Sequence, residues 1–131
     1  MALKLYLVCL LILSVIDGLW LGFFAKKFYA RQLSALMAPR VRWGAAVAFY
    51  LLYPAGLLLF VLQPAFFLGS WQYALYQGMF FGVVAYGTYD LTNHATLRGW
   101  PTIITIVDIA WGALVSGTAA ALTVFVATHW L

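Results

Sequence analysis

YGTYDLTNHATLRGWPTIITIVDIAWG, residues Tyr86 to Gly112, holds two of the three acidic residues in a chain of 131. Asp90 and Asp108 lie inside it with Asn93, His94 and Arg98, while the third acid, Asp17, sits in IDGLW near the start. Asp17 with Trp20, and Asp108 with Trp111, repeat one D-x-x-W spacing. The stretch reads as the end of one apolar helix, a polar turn closing at Pro101, and the start of another helix. Polar groups gathered this tightly in so apolar a chain mark a site.

Composition sets the class. The chain is 66% hydrophobic and 8% charged, with a mean hydropathy of +1.00, far from the soluble average of about 45–50% apolar and about 25% charged. It reads as an all-α integral membrane protein, a single domain over residues 1–131 with no room for a second soluble one. At ~20 residues per crossing the length permits about four spans. The net charge of +4 is a topology signal, because five of the basic residues, Lys26, Lys27, Arg31, Arg40 and Arg42, share one connection. Nucleic-acid binding is excluded on that ground. The single cysteine, Cys9, has no disulfide partner within the chain. Lys4 followed by LYLVCLLILSVI resembles a secretory signal, but no small-x-small cleavage site comes after it, so a retained first helix is expected.

Four transmembrane helices in one bundle are expected, at about 3–24, 43–62, 71–91 and 102–128. Between the first two, Tyr29, Leu33, Leu36 and Met37 recur at helical spacing, which predicts a short interfacial helix ended by Pro39. Pro54 predicts a kink in the second span, and Pro64 and Gly69 bracket the turn after it. The third span contains the GxxxG pair Gly78 and Gly82. Gly112 with Ser116, and Ala113 with Gly117 and Ala121, form small-residue rows on the fourth. Such rows serve a packing face within one bundle or, alternatively, a homo-oligomer contact. Trp43, Trp71, Trp100 and Trp130 fall near span boundaries, as interfacial anchors do. The first and third connections carry the positive charge, so both termini are expected outside the cytoplasm.

Depth brings the polar residues together. Asp17 lies about 10 Å of helix before the end of the first span, Asp108 about 9 Å into the fourth and Tyr50 about 10 Å into the second. Tyr86 and Thr88 approach the same layer, and Asp90, Asn93 and His94 would cap it at the cytoplasmic mouth. An acid at the centre of a spanning helix carries an insertion cost of about 2.5–3.5 kcal/mol, so each needs a partner. Trp20 and Trp111, one turn from their aspartates, Ser14 and Tyr50 are available donors, and Arg98 or His94 could fold inward. Asp17 and Asp108, if close, would share a proton. The candidate pocket is thus Asp17, Trp20, Tyr50, Tyr86, Tyr89, Asp90, Asn93, His94, Asp108 and Trp111. The plainer reading is that Asp17 and Asp108 only tie the first and fourth helices together.

No C-x-x-C, H-E-x-x-H or histidine cluster is present, so no metal site is expected, and Gly-rich phosphate loops are absent. No cofactor can be named. His129 sits at the opposite end from His94. Ser14 and Ser116 have no histidine at their depth to activate them, which leaves aspartate acid–base work as the economical chemistry if there is any.

The segments YGTYDLTNHATLRGWP, VDIAWG and IDGLWLG resemble those of a bacterial family of small predicted membrane proteins, domain of unknown function 2177. The resemblance covers nearly the whole chain and implies a four-span inner-membrane protein with polar motifs on the cytoplasmic half, and no established activity. It marks Asp17, Trp20, Tyr89, Asp90, Asn93, Thr96, Trp100, Asp108, Trp111 and Gly112.

Three functions fit these residues. A pocket would bind or process a lipophilic small molecule, such as an acyl chain, isoprenoid or quinone, drawn from membrane lipid. A small transporter would exchange protons at Asp17 and Asp108. A structural accessory subunit would use the aspartates to pack helices. The outer segments LYLVCLLIL, GLLLFVL and GTAAALTVFVA are almost wholly apolar, which favours a one-sided pocket over a transport path.

Overall fold

The computed structural model describes residues 1–131, all helix and turn with no strand. In order these are α1 (Ala2–Leu19), a π-helical turn (Trp20–Phe24), α2 (Lys26–Gln32), α3 (Trp43–Leu57), a second π-helical turn (Leu58–Leu62), α4 (Gln63–Leu68), α5 (Trp71–Thr96) and α6 (Thr102–Trp130). Three continuous rods are long and apolar enough to cross a membrane: Ala2–Phe24, Trp43–Leu68 and Thr102–Trp130. The 26 residues of α5 match them in length but not in hydropathy. Its tyrosines, glutamines, glycines and threonines, with Asp90, Asn93 and His94, dilute its apolar run.

The rods depart from simple α winding at two places. In the first, the Ala25 N–H donates to the Trp20 carbonyl at 2.7 Å, five residues back, and in the second Gln63 donates to Leu58. Each wide turn accommodates one extra residue and rotates the helix beyond it. The kink expected at Pro54 does not end α3, which runs on as α-helix to Leu57; the irregular winding comes after it. Pro64, expected to bracket a turn, instead sits in the first turn of α4, where a missing N–H costs little. The connection shrinks to Gly69 and Ser70. Gly69 takes the left-handed conformation at φ 65°, the Ser70 N–H closes on the Ala65 carbonyl at 3.0 Å, and the Ser70 hydroxyl caps α5 by accepting the Tyr73 N–H at 3.0 Å.

The interfacial helix is shorter than expected, ending at Gln32 and leaving Leu36 and Met37 exposed. α5 is longer: it continues through Thr92 and Asn93 to Thr96, where a loop was expected. Thr88, Thr92 and Thr96 support this last stretch by returning their hydroxyls to carbonyls one turn back. Of the four boundary tryptophans, Trp43, Trp71 and Trp130 are exposed, but Trp100 is buried and donates its indole N–H to Thr105 Oγ1 at 3.0 Å.

The core joins Leu5, Cys9 and Leu13 of α1, Leu57, Val61, Leu62 and Ala65 of the second rod, Ala74 of α5, and Val115, Ala119, Ala120, Val124 and Ala127 of α6. The most intimate pairing is α5 on α6, and glycine makes it possible. A methyl placed on Gly78 would lie 2.8 Å from the Ser116 carbonyl oxygen. On Gly82 it would strike the Gly112 carbonyl, and on Gly112 the Tyr86 ring. The small-residue rows are therefore used within the chain. Away from the core, leucines and phenylalanines such as Leu11, Phe60 and Phe67 point outward, as a surface facing acyl chains requires.

Gly82→Ala and Gly112→Ala should each cost about 1–3 kcal/mol, the usual toll of overpacking, read as a lowered thermal midpoint in detergent. Gly18, with open space around it, is the control: Gly18→Ala should be neutral or stabilising by up to ~1 kcal/mol through helix propensity. Equal losses at all three positions would refute the close-approach account.

Candidate functional site

At the end of the bundle that carries α2 and the polar turn, the first half of α3 stands clear of α5. Val47, Ala48, Leu51 and Leu52 are all exposed. The opening is a cleft of about 580 Å³ lined by Asp17, Leu21, Ala45, Ala46, Phe49, Tyr50, Tyr53, Ala85, Tyr86, Tyr89, Asp108 and Trp111. All four long helical rods contribute. Its size lies within the range of about 300–1,000 Å³ common for small-molecule sites.

Asp17 is buried at 4% exposure, on the last turn of α1. One carboxylate oxygen accepts the Trp111 indole N–H at 2.8 Å and the other accepts the Tyr50 hydroxyl. Two donors on two oxygens satisfy a carboxylate, which accepts at both atoms. These bonds tie α1 to α3 and α6 at one point. Tyr6 adds a second tie by donating to the Leu51 carbonyl at 2.8 Å.

The D-x-x-W repeats do not serve their own helices. Trp111, three residues after Asp108, reaches Asp17, and Trp20, three residues after Asp17, donates to the Tyr29 hydroxyl at 3.4 Å. Tyr29 in turn donates to Asp108 at 2.9 Å. Burial, and the negative charges of Asp108 and Asp90 after it, hold the Tyr29 phenol well above its usual range although the Trp20 bond opposes them, so it stays a donor. The two indoles stack at 4.3 Å between centroids and 9° between planes. Trp111 thus crosses to the aspartate of the first helix, while Trp20 is linked to Asp108 only through the Tyr29 hydroxyl.

Asp90 is fully buried, and neither of its oxygens has a donor among the neutral groups around it. What it does meet is Asp108, within hydrogen-bonding reach. Two bare carboxylates offer each other only lone pairs, so a bond between them would need one proton held in common. Asp17 and Asp108, expected to share a proton if close, each receive hydroxyl or indole donors of their own.

His94 faces α6 and lies 3.2 Å from Thr105 Oγ1 and 3.4 Å from Thr102 Oγ1, so it pairs with neither Asp90 nor the cleft acids. Arg98 is exposed and Asn93 lies off the cleft wall. Of the ten candidate residues, Asp17, Tyr50, Tyr86, Tyr89, Asp108 and Trp111 meet in the cleft, and Trp20 and Asp90 stand behind it. Sequence reasoning missed Tyr29, Phe49 and Tyr53. Tyr29 gave no signal, since its reach to Asp108 depends on α2 folding back beneath the π turn. Tyr53 sits one turn after Tyr50, a spacing that places both on one face, and shares a 2.6 Å bond with Ser116. No group of three or more histidine, cysteine or acidic side chains is arranged to hold a metal ion.

Apolar helical rods enclosing a small cluster of buried carboxyls define a helical membrane protein. More narrowly, the chain belongs to the family described as predicted membrane protein DUF2177, whose model matches residues 2–125. Neither the curated proteins nor the solved structures contain a match to it.

The shared proton has a spectroscopic signature. Infrared spectra near neutral pH should contain one protonated-carboxyl C=O band, absent in Asp90→Asn, where the amide supplies the donor to Asp108 instead. A wild-type spectrum without such a band would refute the pairing. Tyr50→Phe should cost about 1–3 kcal/mol by leaving a buried carboxylate oxygen bare, and should cost much less in an Asp17→Asn background, as a double-mutant cycle will measure.

Proposed function

We propose that this protein is a four-span component of the bacterial cytoplasmic membrane whose cleft holds the polar head of a lipophilic small molecule. In this reading α5 is the fourth span, carried across by its glycine contact with α6 despite its lower hydropathy. The connection bearing Lys26, Lys27, Arg31, Arg40 and Arg42 lies on the cytoplasmic side with Arg98, and both termini lie outside.

The observation that carries the proposal is the cleft itself. Its walls are Leu21, alanines and aromatic rings, and its only ionisable carboxyls are Asp17 and Asp108. Apolar walls with a few convergent polar groups are the general pattern of small-molecule sites. The cleft opens sideways at Ala45, Phe49 and Tyr89, all exposed, which suits a ligand entering from the bilayer with its tail left among acyl chains. The apolar outer segments argue against a polar path through the protein, and hence against transport. A purely structural role for the aspartates accounts for the bonds on Asp17 but not for the open space beside it.

Native mass spectrometry with lipid extraction tests this reading. Wild-type protein should retain a defined lipophilic molecule, and Ala46→Trp, which fills the cleft from a half-buried position, should lose it while remaining folded. Bulk phospholipid alone on both proteins would defeat the proposal.

A further inference from the structure

Charge in the cleft is not balanced. Every polar partner of the three aspartates is a neutral indole, a neutral phenol or another carboxyl. All seven lysines and arginines are exposed. Asp17 accepts one donor on each oxygen, and both donors are neutral. Asp108 accepts from the neutral Tyr29 hydroxyl and has no cationic partner either. The carboxyl groups of Asp17 and Asp108 therefore line a largely apolar cleft that receives no countercharge from the chain, an arrangement that favours a cation over an anion as its occupant.

The walls have the matching chemistry. Phe49, Tyr50, Tyr53, Tyr86, Tyr89 and Trp111 line the cleft, and aromatic faces attract cations, organic ammonium groups above all, because the ring quadrupole is negative at its centre. An inorganic ion would find one incompletely engaged carboxyl, Asp108, and would have to shed its water against rings that cannot replace it. A lipophilic cation gains from both features at once.

We propose that the occupant of the cleft is an organic cation, an amine or quaternary ammonium compound carrying apolar groups, held by the charge of Asp108 and the surrounding rings. The assignment rests on the binding role proposed above and narrows it to one ligand class. Asp108 is the residue that meets the cation. It lines the cleft, whereas Asp90 lies buried behind it and keeps a proton within reach. Phe49 and Tyr89, exposed at the mouth, are the first rings an entering ligand meets.

Equilibrium binding to the purified full-length protein in neutral detergent tests the assignment, using tetraphenylphosphonium as probe and tetraphenylborate, of the same shape and opposite charge, as comparison. The phosphonium should bind at least about ten-fold more tightly than the borate, and Asp108→Asn should remove about ten-fold or more of its affinity. Gly18→Ala, in open space and off the cleft wall, should change affinity less than about two-fold; an equal loss in both variants would overturn the assignment. If Asp108→Asn does not fold, Ala46→Trp and Tyr89→Leu, both at accessible positions, replace it and should each weaken the phosphonium. Equal affinity for the two probes, or indifference to these substitutions, overturns the assignment. A neutral molecule found in wild type by mass spectrometry and displaced by Ala46→Trp would then leave the broader binding role standing, whereas an empty cleft by both methods removes both.

Discussion

The backbone contact between α5 and α6 is the constraint on which the rest of the molecule depends. Gly78 and Gly82 on one helix meet Ser116, Gly117 and Gly112 on the other at distances that no side chain tolerates. Within a membrane the gain from such a contact comes from packing, because acyl chains solvate an apolar helix as well as another helix does. The close approach lays the Tyr86 ring over Gly112, fixing its place in the cleft wall, and brings Asp90 against Asp108. It also binds α5, the least apolar of the long helices, to α6, which is long and apolar enough to cross a membrane. A helix that fits poorly in lipid by composition is held by a partner that fits well.

Around this pair the polar groups form two separate systems with different work. Asp17 is a structural knot: its two donors come from α3 and α6, and both oxygens are spent. Asp108 is tethered on one side by Tyr29 and meets Asp90 on the other, so it is positioned without being saturated. Satisfied buried polar groups rigidify a core, and partly satisfied ones are where chemistry or binding is found. The contrast between the two aspartates, at similar depth and with the same D-x-x-W context, is set wholly by which donors the fold delivers to each.

Much of this was legible in the sequence, and the limits have physical causes. Hydropathy located the rods because apolar length is a direct consequence of bilayer thickness, and depth arithmetic brought Asp17, Tyr50, Tyr86 and Asp108 into one layer because helical rise is constant. The fourth rod is less secure by composition than the others, since Asp90, Asn93 and His94 lie within α5 and not in a loop after it. Partner identity was not legible. Spacing along one helix suggested that each tryptophan serves its own aspartate, whereas Trp111 crosses to Asp17 and Trp20 donates to Tyr29. The π turns escaped notice because WLGFF and LLFVL differ in no obvious way from α-helical sequence; wide turns are set by tertiary strain and not by composition. Tyr29 was assigned to an interfacial face for the same reason, since the rotation introduced by the first π turn decides where its hydroxyl points.

The bonds on Asp17 also bear on how the chain is made. Synthesis proceeds from the N-terminus, so α1 emerges first, with its carboxyl unaccompanied. Tyr50 arrives with the second rod and Trp111 only with the last, 94 residues after Asp17. Until α6 is in place, the first helix carries an unfinished polar group, at a depth where being unfinished is costly. The nascent protein thus has a built-in interval in which its opening segment is the least settled part of it.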